Sequence, residues 1–239
     1  MSSPKIIVIT GVARRLGLAF AEHFLEQGWF VIGTYRTDRP SLTALREKGA
    51  ELHQCDFQNP SSVDALITTL KSDYPKIHAM IHNASDWVSE GGETSNEHVF
   101  DRMMTVHAKI PYQMNLAFQE MLSPDESGEL SDIIHITDFV AQSGSKKHLA
   151  YAASKAALEN LTLSFAAAFA PEIKVNSIAP ALLKFNDHDD DAYKAKALKK
   201  AALPWEGGFE AAIEAAEYLL GSRYVTGRII HLDGGRHLK

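Results

Sequence analysis

One stretch constrains this chain more than any other. The apolar run at 5–10 passes straight into Gly11-Val-Ala-Arg-Arg-Leu-Gly17, and from there into an amphipathic pattern over 16–27. A run as short and apolar as Ile6-Ile-Val-Ile9 suits a strand buried on both faces, the situation of a parallel sheet covered by helices. The unit recurs. Further apolar runs stand at 30–35, 51–54, 77–82, 132–137, 173–178 and 228–232, with amphipathic stretches at 61–71, 97–122, 149–169 and 210–220. Strands alternating with helices of this length predict βαβ units and an α/β fold: a doubly wound parallel sheet of about seven strands with helices on both faces.

The 239 residues fit one large domain, 1–239, because no Gly/Ser-rich or Pro-rich linker divides them and no internal repeat is evident. One segment, 182–203, breaks the rhythm with Asn186-Asp-His-Asp-Asp-Asp191. It reads either as a solvated excursion or as a lid over a substrate. A net charge of −6 and a pI near 6.0 argue against a nucleic-acid partner. The single cysteine, Cys55, has no partner for an intrachain disulfide, which favours a reducing, cytoplasmic setting. No apolar stretch approaches the roughly 20 residues that span a bilayer, so no membrane partner is expected. The run at 6–9 is too short for a secretory signal. The histidines show no metal-ligand spacing, and no metal is expected.

The first turn points to a phosphate. Gly11 and Gly17 permit a tight turn and close backbone approach, and the N-terminus of the following helix offers free N–H groups to a pyrophosphate, as in a Rossmann-type fold. Arg14 and Arg15 beside that turn suggest a ligand more anionic than NAD, or an additional ligand contact. At the end of the second strand, where an NAD-specific protein presents an acidic residue to the ribose, this chain has Arg36-Thr37. A guanidinium there suits the 2′-phosphate of NADP, so NADPH/NADP is the expected cofactor.

Tyr151-Ala-Ala-Ser-Lys155 supplies chemistry. Spacing i, i+4 places the phenol and the ammonium on one helix face. A tyrosine titrates near pH 10 when free, and an adjacent cation is expected to lower that value, readying Tyr151 for proton exchange beside hydride transfer.

With these features the sequence resembles the short-chain dehydrogenase/reductase family over nearly its whole length. The matching motifs are the Thr10–Gly17 turn, His82-Asn-Ala-Ser85, Tyr151 with Lys155, Val175-Asn-Ser-Ile-Ala-Pro180 and Leu232-Asp-Gly-Gly235. Within the family it is similar to pteridine reductases, through Arg14-Arg15-Leu16-Gly17, His82–Trp87, Thr137-Asp138, His188-Asp-Asp190 and Asp233-Gly-Gly-Arg-His-Leu238. Three positions depart from the broad family pattern. Arg15 replaces the middle turn glycine, Asp138 replaces the usual catalytic serine, and His107 falls at or near the expected asparagine.

The resemblance implies NADPH-dependent reduction of a dihydropterin, 7,8-dihydromonapterin or a relative, with weaker dihydrofolate reduction. It implies catalytic roles for Tyr151, Lys155 and Asp138, either Tyr151 or Asp138 being the direct proton donor. It implies cofactor contacts at Gly11, Arg14, Arg15, Leu16, Gly17, Arg36, Thr37, Asp56, Phe57, Asn83, Ala84, Ser85, Thr137, Tyr151, Lys155 and Pro180. Substrate contacts are implied at Arg15, Ser85, Trp87, Asp138 and Tyr151, with Trp87 stacking on the flat pterin. A homotetramer follows by family analogy. Two other readings stand beside it: a carbonyl or 3-oxoacyl reductase of the same family, and a non-catalytic NADP-binding sensor. An anionic Asp138 would repel a developing alkoxide, which weakens the first; an intact tyrosine–lysine pair weakens the second.

Overall fold

The computed structural model describes residues 4–124 and 128–239; residues 1–3, part of the stretch read for a secretory signal, lie outside the described residues. All seven apolar runs are strands: β1 (Ile6–Thr10), β2 (Phe30–Tyr35), β3 (Glu51–Gln54), β4 (Ala79–His82), β5 (Ser131–Ile136), β6 (Ile173–Pro180) and β7 (Ile229–Leu232). They form one sheet in the order β3-β2-β1-β4-β5-β6-β7, and each neighbouring pair is parallel.

Alternation along each central strand divides two cores. Ile7 and Ile9 of β1 face one side with Leu16, Phe20 and Phe24 of α1 (Arg15–Glu26), Leu42 and Leu45 of α2 (Pro40–Glu47), and a later helix. Val8 faces the other side with Val63, Leu66 and Leu70 of α3 (Pro60–Asp73) and residues of two later helices. Each such side chain, fully withdrawn from water, contributes about 1.5–3 kcal/mol. Helix α3 starts where Pro60 presets the first turn and the Asn59 side chain accepts from the Ser61 N–H at 3.1 Å.

The single helix expected over 97–122 is a correction. The chain instead forms α4 (Asn96–Met104), a π-helical turn (Thr105–Lys109), α5 (Ile110–Ala117) and α6 (Gln119–Leu122). Pro111 explains the first break: it has no N–H to give the His107 carbonyl, and the Ile110 N–H bonds the Thr105 carbonyl five residues back instead. The short α7 (Val140–Ser143) leads to α8 (Leu149–Phe169), whose alanines favour helix and whose Phe165 and Phe169 join α5 on the second face. The segment 182–203 carries α9 (Asp191–Leu198), none of whose residues is buried. Helix α10 (Glu210–Gly221) returns to cover the first face through Ala212, Ala216 and Leu219. Among the described residues, no helix is long and apolar enough to cross a membrane.

From β1 the chain winds outward to β2 and β3, then returns to β4 on the other side of β1. That reversal opens a crevice at the carboxyl ends of β1 and β4, the place where open α/β sheets bind ligands. Helix α1 packs hard against it at Gly17, where an added Cβ would lie 2.1 Å from the Gly11 carbonyl oxygen and 2.5 Å from Asn83 Nδ2. Gly17→Ala is therefore expected to cost about 1–3 kcal/mol of stability, read as a lowered urea midpoint.

Candidate active site

The crevice is held open by a polar clamp between the tips of β1 and β4. Thr10 Oγ1 accepts from the backbone N–H groups of Asn83 and Ala84 at 3.0 and 2.9 Å, and Asn83 Nδ2 donates to the Thr10 and Gly11 carbonyls at 3.0 and 3.2 Å. Gly11 adopts φ +78°, and a Cβ on it would meet Ala84 Cα at 2.9 Å. The turn after β1 brings Gly11, Arg14, Arg15, Leu16 and Gly17 to the cleft wall, the end of β2 brings Arg36 and Thr37, β3 leads to Asp56 and Phe57, and β4 leads to Asn83, Ala84 and Ser85. At the N-cap of α1, Arg14 makes no capping hydrogen bond. The first-turn N–H groups thus face a cleft rimmed by Arg14 and Arg36, a cradle that fits the pyrophosphate of a dinucleotide.

Arg15 sits in the left-handed region at φ 51°, a conformation that favours glycine. Its guanidinium reaches out to the segment 182–203, donating to the Lys184 carbonyl at 2.6 Å, the Phe185 carbonyl at 3.3 Å and Asn186 Oδ1 at 3.0 Å. Thr137 is buried, its hydroxyl within 3.3 Å of Glu159 Oε1 and of the Ile178 carbonyl; Pro180 ends β6 and its carbonyl accepts from the Phe139 N–H.

Beside the cleft, Tyr151 and Lys155 lie one turn apart on α8. Lys155 is 2% exposed, and its Nζ donates to the Ile136 carbonyl at 2.8 Å and lies 5.7 Å from the Tyr151 ring centroid. Burial lowers its pKa to about 8 even though Asp138 works the other way. Tyr151 Oη donates to Asp138 Oδ2 at 2.9 Å, and Asp138 Oδ1 accepts from the Val140 N–H at 2.9 Å. Burial pushes the Asp138 carboxyl upward, opposed by the Val140 N–H, the Lys155 charge and the Tyr151 hydroxyl.

The tyrosine corrects a sequence expectation. Lys155 was expected to lower its pKa, whereas burial first and the Asp138 charge second drive it well above the ordinary value. Tyr151 holds its proton. The arrangement favours the neutral phenol over the phenolate.

His107 gains a role that spacing did not reveal. Its Nε2 accepts from the Asp86 N–H at 3.2 Å, which leaves Nδ1 as the protonated nitrogen, 2.8 Å from Ser154 Oγ. Ser154 in turn donates to the Tyr151 carbonyl at 2.7 Å, and Ser85 Oγ lies 2.9 Å from His107 Nε2. Burial, with Lys155 nearby, keeps the imidazole neutral. A neutral His107 thereby ties the loop after β4 to α8. Trp87, next to Asp86 in the chain, is 60% exposed, its ring 4.5 Å from that of His148 at the N-cap of α8. The Glu90 carboxylate accepts from the Ala150 N–H at 2.7 Å and fixes that helix end.

By class the protein is an oxidoreductase built on a dinucleotide-binding sheet. A family model described as "Enoyl-(Acyl carrier protein) reductase" matches residues 11–237. With that match and with relatives aligned end to end, the chain belongs to the short-chain dehydrogenase/reductase family. It is 47% identical over 236 residues to dihydromonapterin reductase of Klebsiella pneumoniae, covering 99% of this chain and 98% of that protein. It is 45% identical over 238 residues to dihydromonapterin reductase of Escherichia coli K12, covering 100% and 99%. Among solved structures, FolM alternative dihydrofolate reductase 1 from Brucella suis, in complex with NADP, superposes with a TM-score of 0.88 at 25% identity, covering 100% of this chain and 97% of that one.

The buried ammonium yields a stability prediction. The folded pKa of Lys155 lies below its unfolded value, so the unfolded chain binds more protons between about pH 8 and 10.5, and stability rises with pH across that window. Near neutral pH the charge costs about 1–3 kcal/mol. Lys155→Met is expected to melt higher than the wild type at pH 7 while losing turnover; a lower melting temperature would contradict this account.

Proposed function

We propose that the protein uses NADPH to reduce the C=N bond of a dihydropterin, 7,8-dihydromonapterin or a close relative, to the tetrahydropterin, and that it turns over dihydrofolate more slowly. The observation that carries this reading is the Tyr151–Asp138 hydrogen bond, in which burial raises the pKa of both groups. Reduction at C=N requires a proton on nitrogen, and a carboxyl that keeps its proton longer than usual supplies it through or beside the phenol. The full-length likeness to dihydromonapterin reductases supports the substrate class.

In this reading Gly11, Leu16 and Gly17 let the cofactor backbone approach, Arg14 and the α1 N-terminus hold its pyrophosphate, and Arg36 with Thr37 takes the 2′-phosphate. Asp56 and Phe57 border the adenine, while Asn83, Ala84, Thr137 and Pro180 flank the remainder. Bound NADPH supplies the hydride. Lys155, beneath the phenol, balances the charge left on Asp138 once its proton has been given up. Trp87 stacks on the pterin, worth roughly 0.5–1.5 kcal/mol beyond area burial, and Arg15 and Ser85 edge both substrate and cofactor. The segment 182–203, tied to Arg15, covers the site. A cytoplasmic homotetramer belongs to the same reading, with Tyr112 and Leu116 of α5 and Leu163 of α8, each close to half exposed, available to its interfaces.

The test is NADPH oxidation with dihydromonapterin, dihydrobiopterin and dihydrofolate. Turnover is expected to be fastest with a dihydropterin, and Tyr151→Phe to lose about 10²–10⁴-fold. Asp138 is raised and active when protonated, so activity is present below its folded pKa and falls as pH rises through it. Asp138→Asn is expected to be slower and to lack that limb. The family match admits one second reading, a carbonyl or 3-oxoacyl reductase of the same family. Under it, Asp138→Ser would improve reduction of a 3-oxoacyl thioester; no dihydropterin turnover together with that gain would displace the pterin assignment.

A further inference from the structure

We propose that Asp86 sets cofactor affinity by competing with the cofactor's 2′-phosphate for Arg36, and that Arg102 retains Asp86 when the phosphate takes the arginine. The inference rests on the NADPH reading of the cleft. Arg36 follows β2 and Asp86 follows β4, strands on opposite sides of β1, and both residues line the cleft. Even so, Arg36 Nη1 donates to Asp86 Oδ2 at 2.9 Å. The ion pair therefore spans the crevice from the β2 side to the β4 side.

The two partners differ in what they lose on parting. The Arg36 side chain is 47% exposed, so water screens the pair and readily solvates a released guanidinium. The Asp86 side chain is 11% exposed and has other donors: Arg102 Nε at 2.7 Å and Nη2 at 2.6 Å to the same Oδ2, and the Trp87 N–H at 3.0 Å to Oδ1. Both arginines hold the Asp86 carboxyl below its usual range against the opposing effect of burial, so it remains anionic. Without Arg36 it still has Arg102, and the clasp can open without stranding a buried charge.

Two anions then contend for one guanidinium fork. A phosphate monoester carries more charge than a carboxylate and matches the fork in two-point contact, so it displaces Asp86. The displacement lowers net affinity by what the clasp was worth, and Asp86 repels the incoming phosphate besides. NADH lacks that phosphate and does not contend for Arg36 in this way. Asp86 is thus a specificity-determining residue that restrains NADPH binding more than NADH binding.

The test titrates NADPH, NADP⁺ and NADH into wild type, Asp86→Asn, Arg102→Gln, and Arg36→Gln with and without Asp86→Asn, following tryptophan fluorescence and checking heats of binding. Asp86→Asn is expected to tighten NADPH about two- to fivefold, the scale of a half-exposed ion pair, and to leave NADH nearly unchanged. Arg102→Gln leaves Asp86 to Arg36 and is expected to weaken NADPH by a similar factor. In the Arg36→Gln background, Asp86→Asn is expected to have no more than a small effect. Equal or weaker NADPH binding by a folded Asp86→Asn overturns the proposal, because Asp86 would then be aiming Arg36 at the phosphate. If Asp86→Asn does not fold, Arg102→Gln decides, and unchanged or tighter binding there overturns it. A wild-type protein that fails to bind NADPH overturns the cofactor reading and this inference with it, a result read before any variant is compared.

Discussion

The clamp between Thr10 and Asn83 is the contact on which the site depends. At the point where the sheet reverses its winding, β1 and β4 end side by side with backbone groups that no further strand satisfies. Thr10 Oγ1 accepts from the N–H groups of Asn83, which it shares with the Ile81 carbonyl, and of Ala84, and Asn83 Nδ2 donates to the Thr10 and Gly11 carbonyls. With these groups paired, the chain can leave both strands at once and open a crevice without a desolvation penalty. Gly11 and Gly17 then matter for a steric reason, since the clamp draws Asn83 and Ala84 so near the turn that neither position has room for a Cβ.

Around that crevice, burial rather than spacing determines the chemistry. Lys155 is buried and Asp138 and Tyr151 are partly buried beside it, and each shifts toward its neutral form: the lysine down, the acid and the phenol up. A phenol beside a lysine alone would be drawn toward phenolate. A partly buried carboxylate at 2.9 Å reverses that, and the reversal suits proton donation to nitrogen better than stabilisation of an alkoxide. The stability lost in burying an ammonium is part of the same arrangement, as strained or desolvated groups at active sites often are.

Much of the architecture was legible because buried parallel strands leave a plain trace. All seven apolar runs became strands, and the alanine-rich 149–169 stretch became one helix with the bounds the pattern suggested. The 97–122 stretch went the other way. Its amphipathic pattern continued through Pro111, so periodicity read one helix where the missing N–H of proline forces a π turn, and that turn carries His107 into the wall of the site. Asp86 stood inside a quoted motif without attracting notice. Its partners Arg36 and Arg102 come from two other elements, and no spacing links them.

What the sequence determined by itself was the alternation of elements, the phosphate-binding turn, the one-turn separation of Tyr151 and Lys155, and the family to which such motifs belong. These are local properties, set by periodicity of two or 3.6 residues and by the conformational freedom of glycine. Tertiary structure decided the direction of the tyrosine's pKa, the tether of Arg15 to residues 184–186, the neutral His107 bridge and the clasp of Arg36 on Asp86. Each depends on which distant groups share a low-dielectric space, and distance through space is what a linear pattern does not carry.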